Sequence, residues 1–264
     1  MNRFCPIYLL MLSWAAAATP ILRNDRVITC QETISATATE SAGDGLSSAT
    51  VFLNDAVVSR TPDGGRPVTF AVKRGDVIFR GPNDGRIQAA GGVEVRLVRI
   101  EFCGAESKVV WGRTGLAPNY QLLIENGYAR IYDIKVPSGT SEPRHTHHDR
   151  VVVCLSGAQL RHILPDGRTE DSSLKTGDCL WRAGQTHVGR NLGQTDLWVI
   201  AVEPKAASGG SSPFRSLRGY CGFALRMGRF ADETGVGEAG HILGLQRVRE
   251  VIRPVRAPGD AAAS

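Results

Sequence analysis

Between residues 24 and 203 the apolar positions come in short runs, not in helical stripes. Ala129–Val136, Val151–Leu155 and Leu197–Val202 are rich in β-branched side chains. That is the composition of strands that bury one or both faces. Turn-forming segments lie between such runs: Pro62-Asp63-Gly64, Pro165-Asp166-Gly167, and a Lys-x-Gly-Asp segment at 73–76 and again at 175–178. Proline presets φ, aspartate accepts hydrogen bonds from nearby backbone, and glycine takes positive φ. No amphipathic stretch of helical length occurs in 24–203. Many short strands with regularly spaced turns predict a sandwich or barrel.

The pattern repeats. Asn24 aligns with Asn126, Leu53 with Leu155, Ala56 with Ala158, Gly75-Asp76 with Gly177-Asp178, Arg80 with Arg182, Gly91 with Gly193 and Glu101 with Glu203, all at one offset of 102 residues. A repeat of this size is a whole domain and not a solenoid unit. The expected architecture is all-β: two tandem antiparallel barrels over 19–117 and 118–204, joined across about Phe102–Ala117.

The two ends differ from this core. Asn2-Arg3, the apolar run Cys5–Trp14 and Ala15-Ala16-Ala17-Ala18 have the order of a secretory signal peptide over 1–18. The run is too short for a transmembrane span of about 20 residues. Export to a periplasm or the exterior is therefore expected, and a cytoplasmic location if the leader is not cleaved. At the other end, 205–264 opens with a Ser/Gly/Ala-rich linker. Ile242, Leu245, Val248 and Ile252 then fall at helical spacing before Pro254. This tail is expected to be a short helix or disordered, and a helix there could contact a partner or an anionic surface.

Charge sharpens the division. The chain of 264 residues has a net charge of +5, of which residues 205–264, with nine Lys/Arg and five Asp/Glu, carry +4. The barrels are nearly neutral, so no basic stripe of the kind used by nucleic-acid binders runs through them. The six cysteines contain no Cys-x-x-Cys, which argues against a zinc knuckle or thioredoxin-type site.

Chemistry concentrates in the second repeat. Four of the six histidines lie there in two short segments, His145-Thr-His147-His148-Asp149 and Gln185-Thr-His187. In an extended strand, His145 and His147 point the same way, and His187 could come from a facing strand. Three convergent imidazoles suit one divalent transition metal (Fe, Mn, Ni, Cu or Zn) and leave positions open for water or substrate. Taken alone, His-x-His also fits a surface turn. His162 and His241 match no pattern and are expected at the surface.

These residues resemble the cupin superfamily. Its first motif runs Gly, five residues, His-x-His, three or four residues, Glu, six residues, Gly. Gly139-Thr-Ser-Glu-Pro-Arg-His145-Thr-His147 matches the first half, with Gly157 as the closing glycine. Its second motif, Gly, five residues, Pro, then His, three residues, Asn, resembles Gly177–Ala183 and His187-Val-Gly-Arg-Asn191, with alanine in place of the proline. The resemblance implies a bicupin of two jelly-roll barrels and, by family habit, a homodimer.

Arg150 stands where the family's glutamate ligand is usual, so Asp149 and His148 become candidate additional ligands. The three-histidine set is closer to that of thiol dioxygenases than to the three-His-one-Glu site of oxalate decarboxylases. An inward Arg150 would suit an anionic substrate, and an outward one would be solvated. Trp181 and Arg182 are further candidates for substrate contact, Trp181 being equally compatible with a core position. In the first repeat Gly43, Gly45 and Gly85 stand opposite the three histidines, and no histidine precedes residue 145, so that barrel is expected to be structural.

Three functions fit. The first is a metal-dependent, dioxygenase-like enzyme on a small, anionic molecule, with an isomerase or lyase on the same site as a variant. The second is a non-catalytic module binding a small molecule or a metal. The third is a storage role, against which the short length and surviving histidines argue. No catalytic residue beyond the metal set can be named.

Overall fold

The computed structural model describes residues 19–205. The expected signal peptide, the tail helix, His241, Cys5 and Cys221 lie outside the described residues. Seventeen strands and no helix make up the described part. In the first repeat these are β1 (Pro20–Arg23), β2 (Val27–Ile34), β3 (Ser48–Phe52), β4 (Ala56–Arg60), β5 (Val68–Val72), β6 (Val77–Arg80), β7 (Ile87–Ala89) and β8 (Val95–Phe102). The second repeat contains β9 (Tyr120–Glu125), β10 (Ala129–Val136), β11 (His145–His147), β12 (Arg150–Ser156), β13 (Gln159–Ile163), β14 (Thr169–Ser173), β15 (Cys179–Arg182), β16 (Gln185–Asn191) and β17 (Leu197–Pro204).

Each repeat forms one five-stranded and one smaller antiparallel sheet. The first has the orders β1-β2-β8-β3-β6 and β5-β4-β7, and the second β15-β12-β17-β10-β9 and β11-β16-β13-β14. Sequence neighbours are seldom sheet neighbours, which is the jelly-roll arrangement.

The repeat extends to the strand register. Val27 pairs with Phe102 across β2 and β8, and Ala129 with Pro204 across β10 and β17. Ser48 faces Arg80, and Arg150 faces Arg182. The isolated bridges Thr39–Gln88 and Ser141–Arg190 keep the same offset.

The shared Lys-x-Gly-Asp turn explains part of this fidelity. Gly75 and Gly177 have φ of 88° and 93°, where a side chain is strained. Asp76 and Asp178 each accept a hydrogen bond from the lysine N–H at 2.7 Å. At the family's closing glycine, a Cβ on Gly157 would come within 2.1 Å of the Leu174 carbonyl oxygen.

Three apolar cores result, and strand alternation distributes residues among them. Val151, Val153 and Leu155 point out of the second barrel, towards Val51, Val98 and Ile100 of the first. Val152 and Cys154 point inward to Tyr132, Ile134 and Val199. Ile34, Phe52, Phe70 and Leu97 fill the first barrel. The two five-stranded sheets therefore share one core between them, which is why their central strands read as unbroken apolar runs. The four described cysteines are free thiols.

The first barrel has charges where the second has histidines. Arg80 bonds Glu40, and Arg99 lies 3.0 Å from Glu32 and 3.3 Å from Glu101, all of them buried or nearly so. Its interior is closed by ion pairs.

Ile200 and Val202 are fully buried in the shared core. Ile200→Ala should cost about 2–5 kcal/mol in urea unfolding. Both barrels should lose structure in one transition, and separate transitions would show that the shared core does not couple them.

Candidate metal centre

Strand β11 lies beside β16, with His145 opposite His187 and His147 opposite Gln185. Directly opposed residues share a face of the sheet, and residues i and i+2 do as well. The three imidazoles therefore converge from two strands. They are 5%, 4% and 2% exposed in the order His145, His147, His187. One ring nitrogen of each lies within 4.8 Å of the others, and the Nε2 atoms of His145 and His147 are 2.9 Å apart.

The outer nitrogens have partners that aim the inner ones. Nδ1 of His145 faces the Pro143 carbonyl at 2.8 Å, and Nδ1 of His187 faces the Gln185 side-chain oxygen at 3.2 Å. Nδ1 of His147 lies 2.9 Å from the Tyr132 hydroxyl. In this arrangement each Nδ1–H donates outward, and each Nε2 turns a lone pair inward. Such outer-shell bonds fix tautomer and ring orientation at metal sites.

Burial keeps the rings of His147 and His187 neutral. It lowers His147 to about 3 and His187 to about 2, with the Arg150 charge adding to the effect in both. Neutral imidazole is the form that ligates. Among the described residues the cluster holds three histidines and no carboxylate, a donor set that fits a single divalent transition metal.

A buried relay stands behind His147. The Tyr132 hydroxyl donates to Glu203, and Glu203 is paired with Arg130, directly opposite on the neighbouring strand. The His148 backbone N–H also donates to Glu203, at 3.1 Å. Burial by itself would raise Glu203, but the bonds from His147 and Tyr132 and the charge of Arg130 outweigh it and hold the carboxyl below its usual range. The Tyr120 hydroxyl sits 2.9 Å from Nε2 of His145 and 3.3 Å from Nε2 of His147. Asn191, the last residue of the second motif, is fully buried and ties the Val136 and Thr195 carbonyls together.

The structure sorts the remaining candidates. Arg150 is inward and 7% exposed, since it shares the face of Val152 and Cys154. Arg182 lies opposite it on β15. Three expectations need correction. Trp181 faces Val151 and packs into the core between the barrels, away from the histidines. Asp149 is no ligand, because its carboxylate accepts the Gly184 N–H at 2.6 Å and lies 3.5 Å from Arg26 of the first barrel. His148 alternates outward and stacks on Trp111 at 4.0 Å.

His162 is a fourth correction. It is half-buried with its ring 4.5 Å from that of His187, and burial, with Arg182 and Arg150 nearby, lowers it to about 4. Sequence reasoning also missed Tyr120, Tyr132, Arg130 and Glu203. The one available signal was Glu203, a polar residue ending an apolar strand and matched to Glu101 by the repeat.

Two outcomes follow from this geometry. Tyr132→Phe should weaken metal affinity by about 10–100-fold without altering the stoichiometry at saturating metal, as measured by competitive chelator titration. The pH dependence of the metal-free protein has a definite sign. His147 and His187 refuse protons that the unfolded chain accepts below about 6.5, so stability is present above that pH and is lost as pH falls towards about 3. Urea midpoints between pH 8 and 4 should decline, less steeply in His187→Gln, and a flat profile would contradict the burial effect.

No family model and no curated protein matches this sequence. Solved structures do match in fold. AerE from Microcystis aeruginosa is 16% identical, with 72% of this chain and 97% of that chain covered and a TM-score of 0.51. A cupin 2 conserved barrel domain protein from Leptotrichia buccalis is 11% identical, with coverages of 71% and 88% and a TM-score of 0.46. An oxalate decarboxylase from Bacillus subtilis is 12% identical, with coverages of 69% and 70% and a TM-score of 0.46. At such identities the likeness is one of fold. The described residues form two antiparallel jelly-roll barrels in one register, an arrangement similar in fold to AerE, and the second barrel holds the buried histidine set.

Proposed function

We propose that the second barrel holds one divalent transition metal on His145, His147 and His187, and that the protein is a dioxygenase-like enzyme acting on a small molecule. The observation that carries this reading is the convergence of three buried imidazoles whose outer nitrogens are all tied to acceptors. A metal bound there would supply Lewis acidity and open coordination positions for substrate or oxygen. Iron is favoured because the set lacks a carboxylate, the feature by which it resembles thiol dioxygenases.

The chain's own residues have defined parts. Strands β11 and β16 fix the spacing of the three ligands. Arg130 and Glu203 hold the Tyr132 hydroxyl, and Tyr132 orients His147. The Tyr120 hydroxyl, within hydrogen-bond reach of two ligand nitrogens, can hold a proton beside a bound substrate.

A second reading is a non-catalytic binding module. It is favoured by the first barrel, whose interior is closed by ion pairs, and by the missing carboxylate ligand. An isomerase or lyase would use the same three ligands.

Metal analysis of the purified protein should find one transition-metal ion per chain, and His145→Ala/His187→Ala should lose it. Oxygen uptake with panels of thiols, flavonoids and dicarboxylates then separates the readings. Consumption with one panel supports the enzyme, and a ligand recovered unchanged supports the binding module. Full metal stoichiometry in the double variant would overturn the site.

A further inference from the structure

Four arginines are buried among the described residues: Arg80, Arg99, Arg130 and Arg150. Three of them have carboxylates. Arg80 bonds Glu40, Arg99 is surrounded by Glu32, Glu40 and Glu101, and Arg130 bonds Glu203. Arg150 has none within ion-pair distance among the described residues. Its nearest hydrogen-bond acceptors are the His148 and Ala183 carbonyls, both at 3.5 Å, the outer limit for such a bond. Glu203, already paired with Arg130, acts on Arg150 only from beyond ion-pair distance; a buried guanidinium without a direct partner is costly, and this one shares the barrel interior with the three histidines.

The internal repeat shows what is missing. At the offset of 102, Arg80 corresponds to Arg182 and Glu40 to Glu142. The equivalence is structural, because Glu40 N–H donates to Ile87 O and Glu142 N–H to Gly189 O, each at 2.8 Å. In the first barrel that pair is joined. In the second, Glu142 is turned to Asn119, from which it accepts at 3.1 Å, and to the Tyr120 hydroxyl, and Arg182 has no carboxylate within ion-pair distance among the described residues. The strand register sets Arg182 directly opposite Arg150, where the first barrel has Arg80 opposite Ser48. The second barrel has therefore gained one inward cation and released another. Metal binding would add further positive charge.

We propose that Arg150 and Arg182 are the receptor for the carboxylate group of a small organic acid, which takes the place beside the three histidines that a protein carboxylate would otherwise fill. This deepens the proposed function and rests on it for the metal. A carboxylate is the partner of every other buried arginine among the described residues, and the planar guanidinium fork matches its two oxygens. The two arginines act as binding residues that set specificity for charge.

The test uses the full chain loaded with zinc, which is redox-inert, so that binding is read without turnover. Zinc stoichiometry is measured first. Acetate, oxalate, malonate and pyruvate, with acetamide, malonamide, sulfate and phosphate as controls, are then titrated by calorimetry. At least one carboxylate should bind one per chain and its amide should not. Arg150→Gln should weaken that binding by about tenfold or more, Arg182→Gln should weaken it less, and zinc stoichiometry should be unchanged in both. Without ligand, Arg150→Gln should melt at or above the wild-type temperature, because an unpaired buried charge has been removed.

If Arg150→Gln does not fold, Arg150→Lys carries the same test and should bind more weakly than wild type. Equal affinity in wild type and variant overturns the proposal, as does binding of sulfate or phosphate but no carboxylate. A protein that takes zinc and binds no carboxylate loses this inference and keeps the metal centre. One that binds carboxylate through Arg150 but takes no zinc keeps the inference and loses the metal centre.

Discussion

The constraint on which the rest depends is that each five-stranded sheet is buried on both faces. On β12, Val151, Val153 and Leu155 serve the core between the barrels, while Arg150, Val152 and Cys154 serve the barrel interior. One face carries much of the apolar burial, with Val51, Val98, Ile100, Val151, Val153, Ile200 and Val202 all at 0% exposure. Each such side chain contributes about 1.5–3 kcal/mol of gross stabilisation. The inner faces are thereby freed from being wholly apolar, and they hold the charges and histidines. A shift of one residue in β12 would exchange the two faces and place Arg150 in the shared core.

The two interiors diverge from this common frame. In the first barrel, glycines stand at the histidine positions, and Gly43 lies so close to Glu101 that a Cβ would fall 2.0 Å from the carboxylate. Its buried arginines and glutamates pair with one another. In the second, only Arg130 is neutralised, by Glu203, and that pair is committed to holding Tyr132 and His147 in place. What remains is an interior of buried imidazoles with two arginines that have no carboxylate within ion-pair distance among the described residues. The same backbone yields two different interiors because a few side chains changed at fixed register.

Legibility followed physical range. The repeat, the β character and the His145–His147 pair depend on spacing along the chain, which the strand periodicity of two converts directly into geometry. His187 was reachable because its strand follows the second copy of the Gly-Asp turn. The failures share one cause: a side chain's neighbour on another strand is invisible along the chain. Asp149 sits beside two ligands, but Gly184 and Arg26 claim its carboxylate. His148 sits next to His147, but alternation sends it outward to Trp111. His162 carried no motif, and pairing with β16 set it against His187.

The amino-acid sequence by itself determined a duplicated all-β architecture, the division of charge between neutral barrels and a basic tail, and which barrel carries the histidine cluster. These rest on local propensity, on the 102-residue repeat and on composition, and none needs a long-range contact. Tertiary structure alone decided the direction of each side chain near the centre. It turned Arg150 inward and Trp181 outward, set Glu203 behind His147, and gave Glu142 to Asn119 instead of Arg182. Those outcomes are fixed by strand pairing between residues far apart in sequence, such as Arg130 and Glu203, 73 positions apart, because burial and counter-charge belong to the assembled barrel and not to the chain.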